Sequence, residues 1–378
     1  MRILFVNEKC GYFGGIEQNV AETAAGLRAR GVQCFLASRE ETGRQVAEYR
    51  ENFDECVPLH PFQEAVSRVR PDVIYIHKAD VRSLGEIHSD VRIIRMVHDH
   101  DLCCPRRHKY YAWNGRICRH KADWRCYLDL AFVGRSSGPA KVALVSIGDK
   151  MREMRRNQEL ALLLAGSAAM REELIENGFP PERVEILPPV VRMPLRAMSP
   201  IPEKNRILYV GQLIRGKGVD LLLKALAHVH GDYELTIVGA GNARAHLDSL
   251  CAELGLGGKV RFEGWVNPSG IGDYYARAKL VAVPSRWPEP FGMIGLEAMH
   301  YGRPVVAFRV GGIPDWLEHG VTGLMAPEQD VRALAAALEQ LLSDSELCSR
   351  LGRQAQERVR TRFCFESYLD RLQGFLSA

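Results

Sequence analysis

Short apolar runs alternate along the chain with longer stretches in which apolar residues recur every three or four positions. The short runs are rich in β-branched residues and are the length of buried strands, whereas a period near 3.6 is typical of amphipathic helices. The apolar runs lie at 2–6, 32–37, 72–77, 91–97, 160–166, 184–187, 206–211, 233–238, 260–266, 280–283 and 304–308. Strands that alternate with helices predict an α/β protein with parallel sheets.

A proline-rich segment interrupts this alternation near the middle of the chain. It contains Pro188, Pro189, Pro194, Pro200 and Pro202, and such spacing favours a stiff linker. A chain of 378 residues is long enough for two domains. We therefore predict an N-terminal Rossmann-like domain over 1–190, a second one over 200–362 and a terminal helix over 363–378.

Composition indicates a soluble globular protein, with 46% hydrophobic and 25% charged residues. The sequence has no apolar stretch long enough to span a membrane, and the first eight residues are too short and too soon acidic for a signal peptide. Without a signal peptide, the ten cysteines are expected to be mostly free thiols in a reducing compartment. A cytoplasmic location is the resulting prediction.

The densest group of candidate functional residues lies between the predicted strands 280–283 and 304–308. Glu289 falls on the loop after the first of these strands, and Glu297 on the predicted helix 293–300. In open α/β sheets, ligands bind outside the carboxyl ends of the strands. Backbone N–H groups at the start of the helix favour an anion there: Phe291, Gly292, Met293 and Ile294. Two carboxylates that flank such a nest predict a nucleotide sugar as the ligand.

This block resembles the E-x7-E motif of retaining glycosyltransferases of family 4. It reads Glu289-Pro-Phe-Gly-x-x-x-x-Glu297-Ala-Met-x-x-Gly-x-Pro-Val-Val-Ala, and the likeness continues through 311–314 and 320–324. The resemblance implies the GT-B architecture, in which two Rossmann-like domains face each other across a cleft and the C-terminal helix crosses back to the first domain. It also implies that Glu289 acts on the donor sugar and Glu297 on the ribose.

A basic loop follows the first strand of the second half. Arg215 and Lys217 lie among glycines before a helix, an arrangement typical of phosphate sites. Family 4 usually has Gly-Arg-Leu at 211–213, where the arginine and the later lysine hold the diphosphate. Gln212 takes the arginine's place here, so Lys217 and Arg215 are the predicted diphosphate ligands.

Two further predictions fall in the first half. Gly14 and Gly15 follow the first strand and resemble the glycine pair that faces the donor in family 4, although a tight turn is the alternative. The spacing from Gly11 to Gly15 is not the Gly-x-Gly-x-x-Gly of dinucleotide sites. His98 ends the strand 91–97 and matches the histidine that family 4 places near the reacting carbon; a structural histidine is the alternative.

A cysteine-rich insertion covers about 102–138, where the resemblance to family 4 is weakest. Some family 4 members carry a similar cysteine series. Cys104, Cys118 and Cys126, with His108 or His120, could bind zinc, but the spacing lacks the close C-x2-C pair of typical zinc sites. A disulfide bond or buried thiols are the other two interpretations.

The stretch 92–156 is strongly basic, with 15 Lys and Arg against 6 Asp and Glu. Tyr110, Tyr111, Trp113, Trp124 and Tyr127 lie within it. We predict a basic amphipathic helix over 141–156 and peripheral contact with an anionic membrane surface; a solvated basic face is the alternative. Nothing in the chain resembles a nucleic-acid-binding fold.

The sequence therefore predicts transfer of a sugar from a nucleotide-diphosphate sugar to a hydroxyl of a glycan or lipid-linked acceptor, with retention at the anomeric carbon. A UDP- or GDP-sugar is the expected donor. Glu289 and His98 are the predicted catalytic residues, and the donor site is expected to need no metal or other cofactor. A nucleotide-sugar epimerase of the same fold is the alternative. An oxidoreductase or a zinc-binding interaction module has less support.

Overall fold

The computed structural model describes residues 1–79, 91–111, 114–135, 142–192 and 200–378. Trp113, Pro194 and the part of the cysteine-rich insertion at 136–138 lie outside these ranges. The chain forms two compact units. The first comprises Met1–Lys109, Arg119–Arg192 and Phe365–Ala378, and the second comprises Tyr110–Cys118 and Met193–Cys364.

The strands of the described ranges are β1 Arg2–Asn7, β2 Lys9–Cys10, β3 Gln33–Ser38, β4 Glu40–Glu41, β5 Glu55–Pro58, β6 Val73–Lys78, β7 Arg92–Val97, β8 Val133–Arg135, β9 Val142–Leu144, β10 Leu162–Ala165, β11 Val184–Ile186, β12 Arg206–Val210, β13 Glu234–Val238, β14 Val260–Gly264, β15 Leu280–Val283, β16 Val305–Phe308 and β17 Gly323–Ala326.

The α-helices of the same ranges are α1 Gly15–Arg28, α2 Val46–Arg50, α3 Phe62–Val69, α4 Arg125–Leu128, α5 Ile147–Gln158, α6 Ala168–Glu176, α7 Val219–Leu226, α8 Arg244–Glu253, α9 Ile271–Arg277, α10 Met293–His300, α11 Ile313–Trp316, α12 Val331–Ser343, α13 Ser345–Arg362 and α14 Phe365–Ser377. Within the described ranges, no helix combines the length and the apolar character that a membrane span requires.

A seven-stranded sheet forms the centre of the first unit, in the order β5-β3-β1-β6-β7-β10-β11. All its strand pairs are parallel. Residues 3–6 of β1 are fully buried, as expected for a strand covered on both faces. The strand order reverses between β1 and β6, so the loops after these two strands flank the crevice in which such sheets bind ligands.

The terminal helix α14 packs within the first unit, against α1. A Cβ on Gly26 would lie 2.6 Å from Leu369 Cδ1, so the absence of a side chain at Gly26 permits this close approach. The buried hydroxyl groups of Thr23 and Tyr368 lie 3.0 Å apart, and Arg30 forms ion pairs with acidic residues of α14.

The second unit contains a six-stranded parallel sheet in the order β14-β13-β12-β15-β16-β17. Its order reverses between β12 and β15. The loops after these strands carry the predicted residues Lys217 and Glu289, which the topology therefore places at the ligand-binding crevice of this sheet. The α/β class predicted from the sequence is confirmed in both units.

The predicted helix over 141–156 is wrong in its first part. Residues 142–144 form strand β9, antiparallel to β8, and α5 begins only at Ile147. Ser146 fixes this start because its Oγ accepts a hydrogen bond from the Asp149 N–H at 3.1 Å. The alternation of valine and alanine before Ser146 has the period of a strand, and sequence reasoning assigned it to a helix face.

Candidate active site

The loops after β12 and β15 touch through their backbones in the second unit. Gly218 has φ +68°, and a Cβ there would lie 1.9 Å from the Pro284 carbonyl oxygen. The Arg286 N–H donates to the Gly216 carbonyl at 2.8 Å. Only glycine fits at 218, and this close approach brings the side chains of the two loops together.

Lys217 and Glu289 are the predicted residues that meet at this contact. Lys217 Nζ lies 2.6 Å from Glu289 Oε1, and it lies 5.0 Å from the centroid of the Trp287 ring. The side chain of Glu289 is buried, while Lys217 keeps 16% of its side-chain surface exposed. The lysine is therefore the more accessible member of a largely desolvated ion pair.

The second carboxylate oxygen of Glu289 also accepts hydrogen bonds. Glu289 Oε2 accepts from Ser285 Oγ and from Trp287 Nε1, both at 2.7 Å. Burial raises the pKa of Glu289, but the charge and hydrogen bond of Lys217, with the hydrogen bonds from Ser285 and Trp287, outweigh burial and hold the pKa below its ordinary value. Glu289 is thus an ionised carboxylate at neutral pH.

The glycine pair 311–312 fixes the backbone of Glu289. The Gly312 N–H donates to the Glu289 carbonyl at 2.7 Å. Gly311 has φ +52°, and a Cβ there would lie 2.2 Å from the same carbonyl oxygen. The Gly-Gly motif of the sequence therefore has a local cause: it lets a second strand-end loop close against the carboxylate-bearing loop.

Helix α10 starts beside Glu289. Gly292 precedes it with φ +94°, and Trp316 Nε1 donates to the Phe291 carbonyl at 2.6 Å. Gly292, Met293 and Ile294 are partly exposed, and a small cavity lies beside the start of α10. Residues from β12 and β15, from the loops that follow these strands and from the start of α10 line this cavity: Tyr209, Val210, Lys217, Ala282, Val283, Ser285, Glu289, Gly292 and Ile294.

Glu297 lies one helical turn further along α10 and has its own partner. Its Oε2 accepts from the Tyr275 hydroxyl at 2.7 Å. The Tyr275 ring stacks on Tyr301, with centroids 5.2 Å apart and planes 8° apart. Burial, together with the Glu297 charge, raises the pKa of Tyr275 well above its ordinary value, so the tyrosine is a neutral donor that orients the carboxylate.

Three side chains of this site were not predicted from the sequence. Ser285 and Trp287 hold Glu289, and Arg286 lies between them in sequence but points to the other loop. Arg286 donates to the Arg215 carbonyl at 2.8 Å and to both carboxylate oxygens of Asp220. The only signal was proximity to Glu289 in the sequence, because no spacing rule marks a serine, an indole or a buried arginine as a carboxylate or loop partner.

His98 lies in the first unit, at the end of β7. Its Nε2 is 2.8 Å from Nδ1 of His77, and the two rings stack. Burial, then the charges of Lys78 and Arg95, lower the pKa of His98 to about 3 despite the opposing effect of Asp101. His98 is therefore a neutral imidazole, suited to hydrogen bonding rather than to carrying charge.

A charged cluster surrounds His98 at the same sheet edge. Lys78 pairs with Asp99 and, at 2.9 Å, with Asp101, and the buried Arg95 lies 3.5 Å from Asp101. Burial beside Asp101 raises the pKa of Asp99 to about 6. Both carboxylates are committed to cations, so neither stands alone as a free nucleophile.

Gly14 and Gly15 occur at the start of α1 in the first unit. Gly14 precedes the helix with an extended backbone, and its N–H donates to Glu17 Oε2 at 3.0 Å. The residue of this loop that requires glycine is Gly11, with φ +110° and a Cβ position 2.3 Å from Thr42 Oγ1. The donor-facing role of Gly14 and Gly15 stays a prediction.

The predicted zinc ligands are not gathered into a site. In the ranges that the structure describes, no group of three or more His, Cys, Asp or Glu side chains is arranged to hold a metal ion. Cys104 and Cys126 belong to the first unit and Cys118 to the second. All ten cysteines are free thiols, and Cys104 and Cys118 are buried, which agrees with the buried-thiol interpretation.

Comparison with known proteins bears directly on this site. Residues 193–358 match the family model described as glycosyl transferases group 1. A D-inositol 3-phosphate glycosyltransferase of Kineococcus radiotolerans is 28% identical over 92% of this chain and 86% of its own length. An alpha-D-kanosaminyltransferase of Streptomyces kanamyceticus is 32% identical over 48% of each chain. For seven further curated relatives, the chain spans about half of the relative's length or less.

Solved structures share the fold over the whole chain. HepE of Anabaena, solved in complex with UDP-glucose, aligns with a TM-score of 0.77 at 21% identity over 100% of this chain and 99% of that one. Sucrose-phosphate synthase from Thermosynechococcus elongatus aligns with a TM-score of 0.76 at 19% identity, over 99% and 98%. The predicted GT-B fold is confirmed, and residues 193–358, which include Lys217 and Glu289, match the model for glycosyl transferases group 1.

Proposed function

We propose that this protein is a retaining glycosyltransferase that moves a sugar from a nucleotide-diphosphate sugar to an acceptor hydroxyl. The observation that carries the proposal is the Lys217–Glu289 pair, 2.6 Å apart at the order reversal of the sheet and beside the start of α10. A cation, a carboxylate and the start of a helix within one crevice match a diphosphate next to a hydroxyl-bearing sugar.

Each group has a role in the proposed reaction. Lys217, Arg215 and the first amides of α10 stabilise the negative charge on the departing diphosphate. Glu289 holds sugar hydroxyls and stabilises the positive charge that develops at the anomeric carbon. Glu297, oriented by Tyr275, binds the ribose. His98 hydrogen-bonds the donor sugar as a neutral imidazole.

Front-face departure and attack fit these residues better than a covalent double displacement. A covalent route needs a free carboxylate as the nucleophile. In the first unit, the carboxylates nearest His98 are paired with Lys78. In the second unit, Ser285 and Trp287 hold Oε2 of Glu289, and the proposal assigns Oε1 to a sugar hydroxyl rather than to attack on the anomeric carbon. The departing diphosphate then takes the acceptor proton, and the configuration is retained.

The donor is a UDP- or GDP-sugar in this proposal. HepE, which shares the fold, was solved with UDP and with UDP-glucose, and this favours UDP. The epimerase alternative has less support, because the relatives named above are transferases or synthases and none of those names describes an epimerase. An epimerase would also convert its nucleotide sugar with no acceptor present.

The acceptor is proposed to be a glycan or lipid carrier at an anionic membrane surface, as in the synthesis of surface polysaccharide or glycolipid. Large apolar side chains are concentrated on one part of the first unit, which we call the 124–144 patch. Trp124, Leu128 and Leu144 are 67%, 71% and 81% exposed, and Tyr127, Leu130 and Val133 are also exposed. Val133 and Leu144 are partners across the β8–β9 ladder, so their side chains share one face.

Helix α5 follows this patch in the sequence and carries several basic residues. Lys150 is buried in an ion pair with Glu153 at 2.8 Å, so it does not serve the surface as the sequence predicted. Arg152, Arg155 and Arg156 are exposed instead. Exposed apolar side chains and exposed arginines in neighbouring stretches of the sequence suit an interface with anionic lipid headgroups, and the proposal is that the protein docks there peripherally from the cytoplasmic side.

The test of the donor proposal is a thermal-shift panel of UDP-, GDP-, ADP- and TDP-sugars. A ligand that binds only the folded protein raises its melting temperature, and we expect UDP- or GDP-sugars to do so. The stabilising donor is then incubated with acceptor candidates, and the anomeric configuration of the product is read by NMR. No stabilisation by any donor would overturn the proposal, and an inverted product would overturn retention.

A further inference from the structure

Residues 110–111 and 114–118, which we call the 110–118 hairpin, belong to the second unit, although the chain before and after this segment belongs to the first. Tyr110 and Ile117 form an antiparallel bridge. The Tyr111 N–H donates to the Arg116 carbonyl at 2.9 Å, and the Gly115 N–H donates to the Tyr111 carbonyl at 2.8 Å. The described residues of this segment therefore form an ordered turn, with Gly115 near its tip.

The tip of the hairpin packs on the loop that carries Lys217. Gly115 has φ +73°, and a Cβ there would lie 3.0 Å from Arg286 Nε and 3.5 Å from a terminal nitrogen of Arg215. A Cβ on Gly216 would lie 3.3 Å from the Tyr110 ring. The hairpin thus covers Arg215 and Gly216 directly.

A hydrogen bond from Gln329 connects the hairpin to the rest of the second unit. Its Nε2 donates to the Gly115 carbonyl at 2.9 Å. Gln329 itself has φ +56°, an uncommon conformation for a residue other than glycine. Gln329, three positions after the end of β17, therefore has a conformation in which its amide contacts the hairpin.

Arg286 contacts both the hairpin and the loop at 215–218, which carries Lys217. It is buried, it donates to the Arg215 carbonyl at 2.8 Å, and its other terminal nitrogen donates to Asp220 at 2.6 Å. Its backbone N–H donates to the Gly216 carbonyl. Arg286 and the hairpin therefore both contact the segment from 215 to 217.

We propose that Arg286 and the 110–118 hairpin are positioning elements for the donor diphosphate, which hold the loop at 215–218 in the conformation that binds it. This inference rests on the proposed function, because it assigns the diphosphate to Lys217 and Arg215. A loop that is already ordered loses less conformational entropy on binding, so its cations bind the diphosphate more tightly. Neither Arg286 nor the hairpin needs to touch the donor.

The experiment replaces Gly115 by Ala and, separately, Gln329 by Ala. The first adds a Cβ against Arg286, and the second removes one hydrogen bond and leaves the hairpin sequence intact. Gly31→Ala and Gly43→Ala are matched controls, because both glycines have positive φ but a Cβ at either meets nothing within 4 Å. Binding of inorganic diphosphate, of UDP or GDP and of the corresponding nucleoside is measured by calorimetry, with a melting curve for each variant.

We expect Gly115→Ala to raise the dissociation constants of inorganic diphosphate and of the nucleoside diphosphate about tenfold, and Gln329→Ala to raise them less. The dissociation constant of the nucleoside should not change, and the control variants should bind all probes as the wild type does. Unchanged diphosphate binding by folded Gly115→Ala and Gln329→Ala would overturn the inference. An equal loss of nucleoside binding would also overturn it, because it would indicate general damage. Failure of the wild type to bind any of these probes would instead overturn the proposed function.

Discussion

Lys217 and Glu289 lie 72 positions apart in the chain, yet Lys217 Nζ is 2.6 Å from Glu289 Oε1. Without donor, the cation that should hold the diphosphate neutralises the carboxylate that should act on the sugar. A diphosphate carries more negative charge than one carboxylate, so it competes for Lys217 and leaves Oε1 free to accept a sugar hydroxyl. Ser285 and Trp287 keep Oε2 in place during this exchange.

Removal of Lys217 should destabilise the protein in a pH-dependent way. In Lys217→Met, Glu289 stays buried with only two neutral donors, so its pKa should rise above its ordinary value. In the wild type the pKa of Glu289 is lowered, and its contribution to stability is therefore present above the ordinary value of 4.5 and is lost as the pH falls below it. We expect the free energy of unfolding of Lys217→Met to be about 3 kcal/mol lower than that of the wild type at pH 7. This difference should become smaller towards pH 4.

Urea unfolding of both proteins between pH 4 and pH 7 measures this difference. Lys204→Met is the matched control, because Lys204 is an exposed lysine whose ion pair with Glu234 spans 3.7 Å, and such pairs contribute less than about 1 kcal/mol. A pH-independent difference between Lys217→Met and the wild type would contradict the role given to the ion pair.

The two glutamates should separate kinetically. Glu289→Gln should lower kcat by about 100-fold or more, because its carboxylate interacts more strongly as charge develops at the sugar. Glu297→Gln should mainly raise the KM of the donor, since the ribose contact is equal in the ground state and the transition state. Steady-state kinetics with varied donor measures both, and Glu253→Gln, an exposed change on α8, is the control. Equal effects of the two variants on kcat alone would contradict the assignment.

The position of this site could be predicted from the sequence better than the residues that support it. The positions of Lys217, Glu289 and α10 followed from strands, glycines and a helix start, because parallel strands present their carboxyl ends at one edge. The residues that hold these groups in place could not be predicted in the same way. Arg286 and Asp220 are brought together by tertiary structure, and no local sequence pattern predicts their contact. The assignment of 110–118 to the second unit likewise depends on tertiary contacts.

The errors occurred where local patterns are ambiguous. Residues 142–144 alternate small and branched side chains, which suit a short strand as well as a helix face, and the partner strand β8 decided between them. Lys150 was predicted on a basic surface, but Glu153 one turn later on α5 forms a buried ion pair with it. Neither the pairing with β8 nor the ion pair with Glu153 could be inferred from the amino-acid composition that supported these predictions.

His98 should remain neutral throughout the physiological range. Its pKa of about 3 lies below the ordinary value of 6.5, so the unfolded chain takes up a proton between these values while the folded protein does not. His98 therefore reduces stability as the pH falls below 6.5. We expect its imidazole NMR signals to be constant from pH 5 to pH 8. A His98 transition near pH 6.5 would refute the neutral role.

Turnover should survive chelation of metal ions. Lys217, Arg215 and the first amides of α10 already oppose the charge of the diphosphate, so the donor site is expected to need no divalent cation. We expect kcat to change less than about twofold after dialysis against EDTA. Activity that is lost and returns with magnesium or manganese would contradict this expectation. Activity that returns only with zinc would point to the cysteine-rich insertion instead.

The 124–144 patch should bind anionic membranes. Basic residues near an anionic leaflet contribute on the order of 1 kcal/mol each, and exposed apolar side chains add insertion into the headgroup region. We expect the protein to float with vesicles that contain phosphatidylglycerol, to bind less at high salt, and to bind neutral vesicles weakly. Leu128→Ser combined with Leu144→Ser should abolish flotation without loss of stability, because both side chains are mostly exposed.

Two comparisons separate membrane docking from a solvated basic face. Trp265→Ser, an exposed aromatic change in the second unit, should leave flotation unchanged, since it lies outside the patch. Arg155→Ser with Arg156→Ser should weaken flotation at low salt and have no effect at high salt, because salt screens the contribution of arginine but not apolar insertion. Wild-type protein that never floats, or floats regardless of lipid charge and salt, would remove the membrane proposal and leave a soluble acceptor.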